Sequence, residues 1–234
     1  MRLLTVNAGG VRPTEAAETG GSGIDKRPVD GPVLVRDPGP KGEGGSGLAG
    51  AGDEIGDLRH HGGRDQAVYA FAREDLDRWE RELGKPLANG VFGENLTTGG
   101  VDVNGALIGE RWRIGADLVL EVTSGRIPCR TFADHLGERG WVRRFTQAAA
   151  PGAYLRVIEP GEIRAGDAIE VVHRPAHEVT VSVAFRAATI ERTLLPGVLA
   201  AADALHPELL ATARTYVERE TAGSGRAAAS AGQG

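Results

Sequence analysis

The chain has 234 residues, a formal net charge of −5, 35 glycines and a single cysteine. That length suffices for one sizeable core with a small appendage, and the acidic balance excludes nonspecific nucleic-acid binding through bulk charge. One cysteine cannot close an internal disulfide, which suits a reducing cytosol, and no segment reads as a signal peptide or a membrane span.

Leu3-Leu4-Thr5-Val6 is predicted as a first short strand and 32–36 as a second. The glycine-rich stretch 38–52 is expected to be a mobile surface loop. Ala67-Val68-Tyr69-Ala70-Phe71 is apolar and expected to be buried. The clearest helix follows: Leu76, Trp79 and Leu83 recur at three- and four-residue spacing, Glu74, Asp75 and Asp77 sit near its start, and Gly84 and Pro86 stop it. From Phe92 the pattern changes to short strands at 112–114, 118–122, 154–158 and 168–172, with Gly109, Gly115, Gly161 and Gly166 at turns. Such spacing predicts a barrel or sandwich. Within 126–147 a helix is expected on which Phe132, Leu136 and Val142 share a face. Beyond Pro175, apolar stripes broken at Pro196 and Pro207 predict two or three short helices ending near Glu220. The Ala/Gly/Ser-rich 221–234 is expected to be disordered.

Cys129 lies where a strand ends and a loop begins, with Arg126 and Arg130 on either side. A thiol near positive charge ionises more readily, and the thiolate attacks electrophiles or binds soft metals; a lone cysteine also serves as a small buried hydrophobe. His60-His61-Gly62-Gly63 carries two imidazoles that can donate to oxyanions, shuttle protons or bind metal. Consecutive side chains diverge on an extended chain, so one of the two is expected at a pocket. Zinc is the weaker reading, with one cysteine and no i, i+4 histidine pair. Gly93-Glu94-Asn95-Leu96-Thr97 either offers amides and a carboxamide to a ligand or is a tight turn, with Glu94 as a buried anchor for an arginine. Lys26 and Arg27 before Pro28 form either a phosphate clamp or a solvated pair, and Arg59 adds further positive charge. Trp79, Tyr69, Tyr154, Asp65 and Asp167 read as structural. No Walker loop, dinucleotide fingerprint or Ser-His-Asp elbow is present.

These blocks have a recognisable order: Gly23-Ile24-Asp25-Lys26-Arg27-Pro28, Gly52-Asp53, His60-His61-Gly62-Gly63-Arg64-Asp65, Phe92-Gly93-Glu94-Asn95-Leu96 and Arg126-Ile127-Pro128-Cys129. The series resembles the MOSC domain, named for the C-terminal domain of molybdenum-cofactor sulfurases, and within it the bacterial YiiM-type proteins. The resemblance spans about 1–172. It implies a mainly β fold with flanking helices: a MOSC-type twisted β-barrel over 1–175 with 39–52 as a flexible insertion, a small three-helix domain over 176–220, and a tail at 221–234. It also implies a molybdenum cofactor (molybdopterin) with Cys129 as the metal ligand, and a soft thiolate suits molybdenum. Lys26, Arg59, Arg126 and Thr97 would hold that cofactor, while His60, His61 and Asn95 would join Cys129 on the substrate side.

The implied activity is a cytoplasmic, detoxifying reduction of N-hydroxylated compounds such as N-hydroxylated purines. The sequence has no flavin, haem or iron–sulfur motif, so an external electron-donor reductase is expected as partner. A homodimer is compatible with this reading; nucleic acid, membrane and pyridoxal phosphate are not expected. Two alternatives stay open: a sulfur carrier with a persulfide on Cys129, and a non-catalytic barrel that binds an anion or nucleotide-like ligand. Two positions depart from the expected pattern, and the stretch 38–52 is longer than expected. Gly125 stands where a proline is expected before the arginine, and Ala149-Ala150-Pro151 where a basic or polar residue is expected.

Overall fold

The computed structural model describes residues 1–231, with side chains to 222. Its main sheet has eight strands: β1 (Arg2–Ala8), β2 (Arg27–Pro28), β3 (Val68–Ala72), β4 (Leu96–Gly99), β5 (Arg111–Ile114), β6 (Leu118–Gly125), β7 (Ala153–Glu159) and β8 (Ile169–His173). They lie in the order β8-β5-β6-β7-β3-β4-β1-β2. Every pair is antiparallel except β3 with β4, which the helix α1 (Arg73–Leu83) joins as a crossover. No continuous ladder closes this sheet, yet it curls until its ends meet. Leu3 N donates to Asp167 O (2.9 Å), Gly166 N to Leu3 O (2.8 Å) and Ile169 N to Met1 O (3.1 Å). The barrel-like expectation therefore holds, with the seam between β1 and the chain entering β8.

Two cores flank β3, and its sequence shows why. All five of its residues are buried. Alternation sends Val68, Ala70 and Ala72 into the barrel core with Leu3, Val6, Trp112, Leu120 and Leu155. Tyr69 and Phe71 point the other way, into an aromatic cluster with Trp79, Phe92, Phe132, Trp141 and Phe145. The helix expected around 76–83 is α1. Gly84 ends it in the left-handed conformation, its N–H donating to Glu80 O.

The helix expected within 126–147 is instead two, α2 (Arg130–Leu136) and α3 (Trp141–Ala148). Gly137, at φ 67°, breaks the chain between them. The break rotates the second helix, so Phe132 and Leu136 are buried with Trp141 and Phe145 while Val142 is 39% exposed.

The stretch 38–52 is not a free loop. Leu48–Ala49 pairs with Val33–Val35, which also pairs with Gly161–Ile163, and Leu48 is 3% exposed. Gly47 N donates to Ala67 O and Gly63 N to Gly45 O, tying the stretch to the histidine turn. Its glycine serves close approach rather than motion: a Cβ on Gly47 would lie 2.8 Å from Ala67 O.

Beyond residue 175 come α4 (Val181–Thr189), α5 (Leu195–Val198) and α6 (Pro207–Ala231). Thr180 caps α4 by accepting from Val183 N at 3.1 Å. Val181, Ala184, Leu195 and Val198 join the barrel core, so the helical segment and the sheet share one interior. The backbone of α6 runs through most of the stretch expected to be a disordered tail, in keeping with alanine's low cost in a helix; 232–234 lie outside the described residues. No helix among the described residues is long and apolar enough to cross a membrane.

Candidate active site

The end of β6, the N-terminal end of α2, the histidine turn and the hairpin made by Arg12–Pro13 and Gly21–Ser22 enclose a cavity of about 560 Å³. Cys129, Arg126, Lys26, His60, His61 and Asn95 all line it. Residues from distant segments thus converge.

Arg126 forms its inner wall. It is 8% exposed, its guanidinium lies 4.5 Å from the Phe132 ring centroid and 5.2 Å from that of Tyr69, and its Nη1 donates to Phe92 O at 2.6 Å. It makes no ion pair with any described carboxylate. Cys129, three residues on, is a free and half-buried thiol. The loop facing Arg126 is folded by Glu94, whose carboxylate accepts from Gly90 N (2.5 Å), Phe92 N (3.0 Å) and Thr97 Oγ1 (2.9 Å). Burial pushes the Glu94 carboxyl up from its ordinary range, against those bonds. Glu94 is therefore an anchor for its own loop. Thr97 belongs to that anchor and does not line the cavity.

Lys26 has a different surrounding. It is 6% exposed and bonded to Asp53, whose other oxygen accepts from Asn95 Nδ2 at 2.8 Å. Asn95 Oδ1 in turn accepts from Tyr69 N at 3.1 Å. Burial lowers the Lys26 pKa, opposed chiefly by Asp53. Asp53, the partner that completes this wall, lies in the Gly52-Asp53 block but was not singled out there.

Both histidines line the cavity, contrary to the expectation of one. The expectation assumed extended chain. His60 N and His61 N instead both donate to Asp57 O, a helix-like turn that keeps successive side chains on neighbouring faces. They remain unequal: His60 is exposed and His61 half-buried. Burial, with Arg126 adding to it, brings the His61 pKa down to about 4, so its imidazole is neutral at physiological pH.

Arg59 is not in the wall. It is 63% exposed and grips Asp57 as a fork (Nε to Oδ1 3.1 Å, Nη2 to Oδ2 3.0 Å), with Glu18 at 3.5 Å. That fork holds the Asp57 carboxyl below its usual range. Glu18, Asp57 and His60 have ligand atoms within 4.8 Å of one another, but Arg59 already neutralises both acids.

The departure at Gly125 has a local cause. A Cβ there would lie 2.6 Å from Pro151 Cγ, just before β7, so the ring of Pro151 fills the space a side chain at 125 would need.

Comparison with known proteins agrees with this geometry. The MOSC domain profile matches residues 57–170. Uncharacterized protein YflK of Bacillus subtilis (strain 168) is 33% identical over 165 residues, 70% of this chain and 70% of that one. The chain belongs to the MOSC domain family. Protein YiiM of Escherichia coli (strain K12) is 30% identical over 166 residues, covering 70% of this chain and 69% of its own. A protein named "Reductase" from Gibberella moniliformis is 29% identical over 177 residues, 74% of this chain but 29% of its own length. The crystal structure of YiiM from Geobacillus stearothermophilus shares the fold of this MOSC protein, with a TM-score of 0.72 at 23% identity over 92% of this chain and 97% of that one.

Proposed function

We propose that this MOSC protein is a molybdenum-cofactor-dependent oxidoreductase that reduces N-hydroxylated compounds, N-hydroxylated purines among them. The observation that carries the reading is a free thiol and a buried guanidinium without a carboxylate sharing one cavity. A buried cation is costly unless paired, so this one is held for an anion that arrives with a ligand. The donor set fits the cofactor. Cys129 offers a soft thiolate of the kind molybdenum takes, Arg126 offers a fork for a phosphate or an oxo group, and the volume suits a pterin-sized ligand. When bound, the cofactor would supply the two-electron redox centre.

The remaining roles fall to this chain's own residues. Cys129 holds the metal, and Arg126 binds and orients the anion. Neutral His61 offers a donor or acceptor to the substrate without adding charge, and exposed His60 stands at the mouth. Lys26 and Asn95 stiffen another part of the wall through Asp53. Electrons come from an external reductase, a reading supported by the name of the Gibberella relative, which extends well beyond the region it shares with this chain.

The test is elemental analysis with pterin fluorescence on protein purified from a cofactor-producing host, followed by turnover of an N-hydroxylated purine with a reduced dye as donor. The expected result is about one molybdenum per chain, in line with a single thiol ligand, and amine product. Protein that carries cyanide-labile sulfur on Cys129 and no molybdenum would instead establish the sulfur-carrier reading.

A further inference from the structure

The cavity also holds Tyr154, which has none of the roles given above. Tyr154, the second residue of β7, pairs with Ser124 and Tyr69 across the sheet and packs its ring 5.0 Å from that of Tyr69. The two tyrosines differ in what their hydroxyls do. Tyr69 is fully buried, and its Oη donates to Pro151 O at 2.7 Å. The Tyr154 hydroxyl has no hydrogen-bond partner among the described residues, and its side chain lines the cavity beside Arg126 and Cys129.

Reduction of an N-hydroxyl group needs a proton at a defined place. Oxygen leaving as hydroxide is a poor leaving group; protonated, it leaves as water. Among the groups facing the cavity, His61 is neutral, Lys26 is tied to Asp53, Asp57 is gripped by Arg59 and Cys129 is assigned to the metal, while His60, Glu18, Glu54 and Glu208 are exposed to solvent. We infer that Tyr154 is the catalytic proton donor to the departing oxygen, an inference that rests on the reductase reading above.

The step balances. The substrate R–NH–OH takes two electrons from the external reductase, and the N–O bond breaks. The oxygen leaves as water with its own hydrogen and the Tyr154 proton. The nitrogen takes a second proton from solvent, giving R–NH2, and solvent then reprotonates the phenolate. Burial raises the Tyr154 pKa, keeping the phenol protonated while it waits, and the neighbouring Arg126 charge favours the phenolate once the proton has left.

The experiment uses the cofactor-loaded protein and Tyr154→Phe, which removes the hydroxyl and keeps the ring. Four quantities are measured for each protein: molybdenum per chain, the Kd of an N-hydroxylated purine by calorimetry, kcat for that purine, and kcat for its O-acetyl ester. Acetate is a weak base that departs without a proton. The inference expects molybdenum content and Kd to match wild type and kcat for the hydroxyl substrate to fall about a hundredfold or more, the usual worth of a general acid. The deficit on the ester should shrink to less than about tenfold. Equal deficits on the two substrates, a wild-type kcat in the variant, or a parallel loss of molybdenum would each overturn the assignment. A loaded wild type that turns over neither substrate would overturn the reductase reading and Tyr154's role with it. An active wild type with an equally active variant removes Tyr154 alone.

Discussion

The two walls of the cavity are both built around a buried cation, and they treat it in opposite ways. Lys26 is paired with Asp53, and Asn95, Tyr69 N and Gly9 N satisfy what remains. Arg126 receives one carbonyl, from Phe92, and two aromatic faces, but no carboxylate. A charge whose partners are all internal belongs to the architecture. A charge left without its counter-ion beside an open cavity is reserved for a ligand. Sequence type does not separate the two cases, since both are basic residues in conspicuous motifs; the partners do.

The comparison can be broken by substitution. The largest effect is expected at the thiol: Cys129→Ser should abolish turnover and molybdenum retention while the melting temperature stays at its wild-type value, because a hydroxyl is nearly isosteric but a poor soft ligand. Near-wild-type turnover in this variant would remove both the reductase and the carrier readings. Next is Lys26→Met. It leaves Asp53 buried without its partner and should cost about 3–5 kcal/mol in denaturant unfolding. If it depleted the cofactor without loss of stability, Lys26 would be a ligand-binding residue after all.

Arg126→Lys should do the reverse. Losing the planar fork weakens cofactor retention by about ten- to a hundredfold, equivalent to about 1.5–3 kcal/mol, measured as occupancy against dilution. Unchanged occupancy would erase the contrast between the walls.

Acid should test the buried imidazoles. His61, His135 and His206 all have pKa values lowered by burial, His61 to about 4. An unfolded histidine takes a proton near pH 6.5 while the folded one resists it. Their stabilising effect is therefore complete above about pH 6.5 and is lost as pH falls from there toward 4, at about 1.4 kcal/mol per unit for His61. Chemical denaturation across this range should show the slope, and His61→Asn should reduce it. The smallest effect belongs to Arg59→Ala. Arg59 is itself 63% exposed and outside the cavity wall, so melting temperature and cofactor occupancy should both match wild type.

Tyrosine and histidine show where reading along the chain loses resolution. Tyr69 and Tyr154 both fit strand patterns, read as structural and line the cavity, yet one hydroxyl is bonded to Pro151 O and the other has no partner among the described residues. The difference lies in a contact 82 residues away in the chain, which no local pattern carries. For His60 and His61 the error was geometric: the motif was visible, but the turn that decides where its side chains point was not. The stretch 38–52 failed for a third reason. Glycine composition reads the same whether it provides freedom or close approach, and here Leu48 and the Gly47–Ala67 contact select the second.

Local chemistry was enough to determine most of the longer strands, the helix α1 and the grouping of Cys129 with Arg126, because alternation, helical spacing and neighbouring residues all lie within a few positions of the chain; the order of the motif blocks gave the family, while the strands Arg27–Pro28 and Leu96–Gly99 went unread. The tertiary structure alone decided which cations are spent on internal partners, that Arg59 and Thr97 stand outside the cavity wall, that Tyr154 stands inside it, and that Asp53 pairs with Lys26 and Asn95 behind it. Those outcomes depend on burial and on partners drawn from distant segments. The free energy of a buried charge is set by what surrounds it after folding, not by its neighbours in sequence.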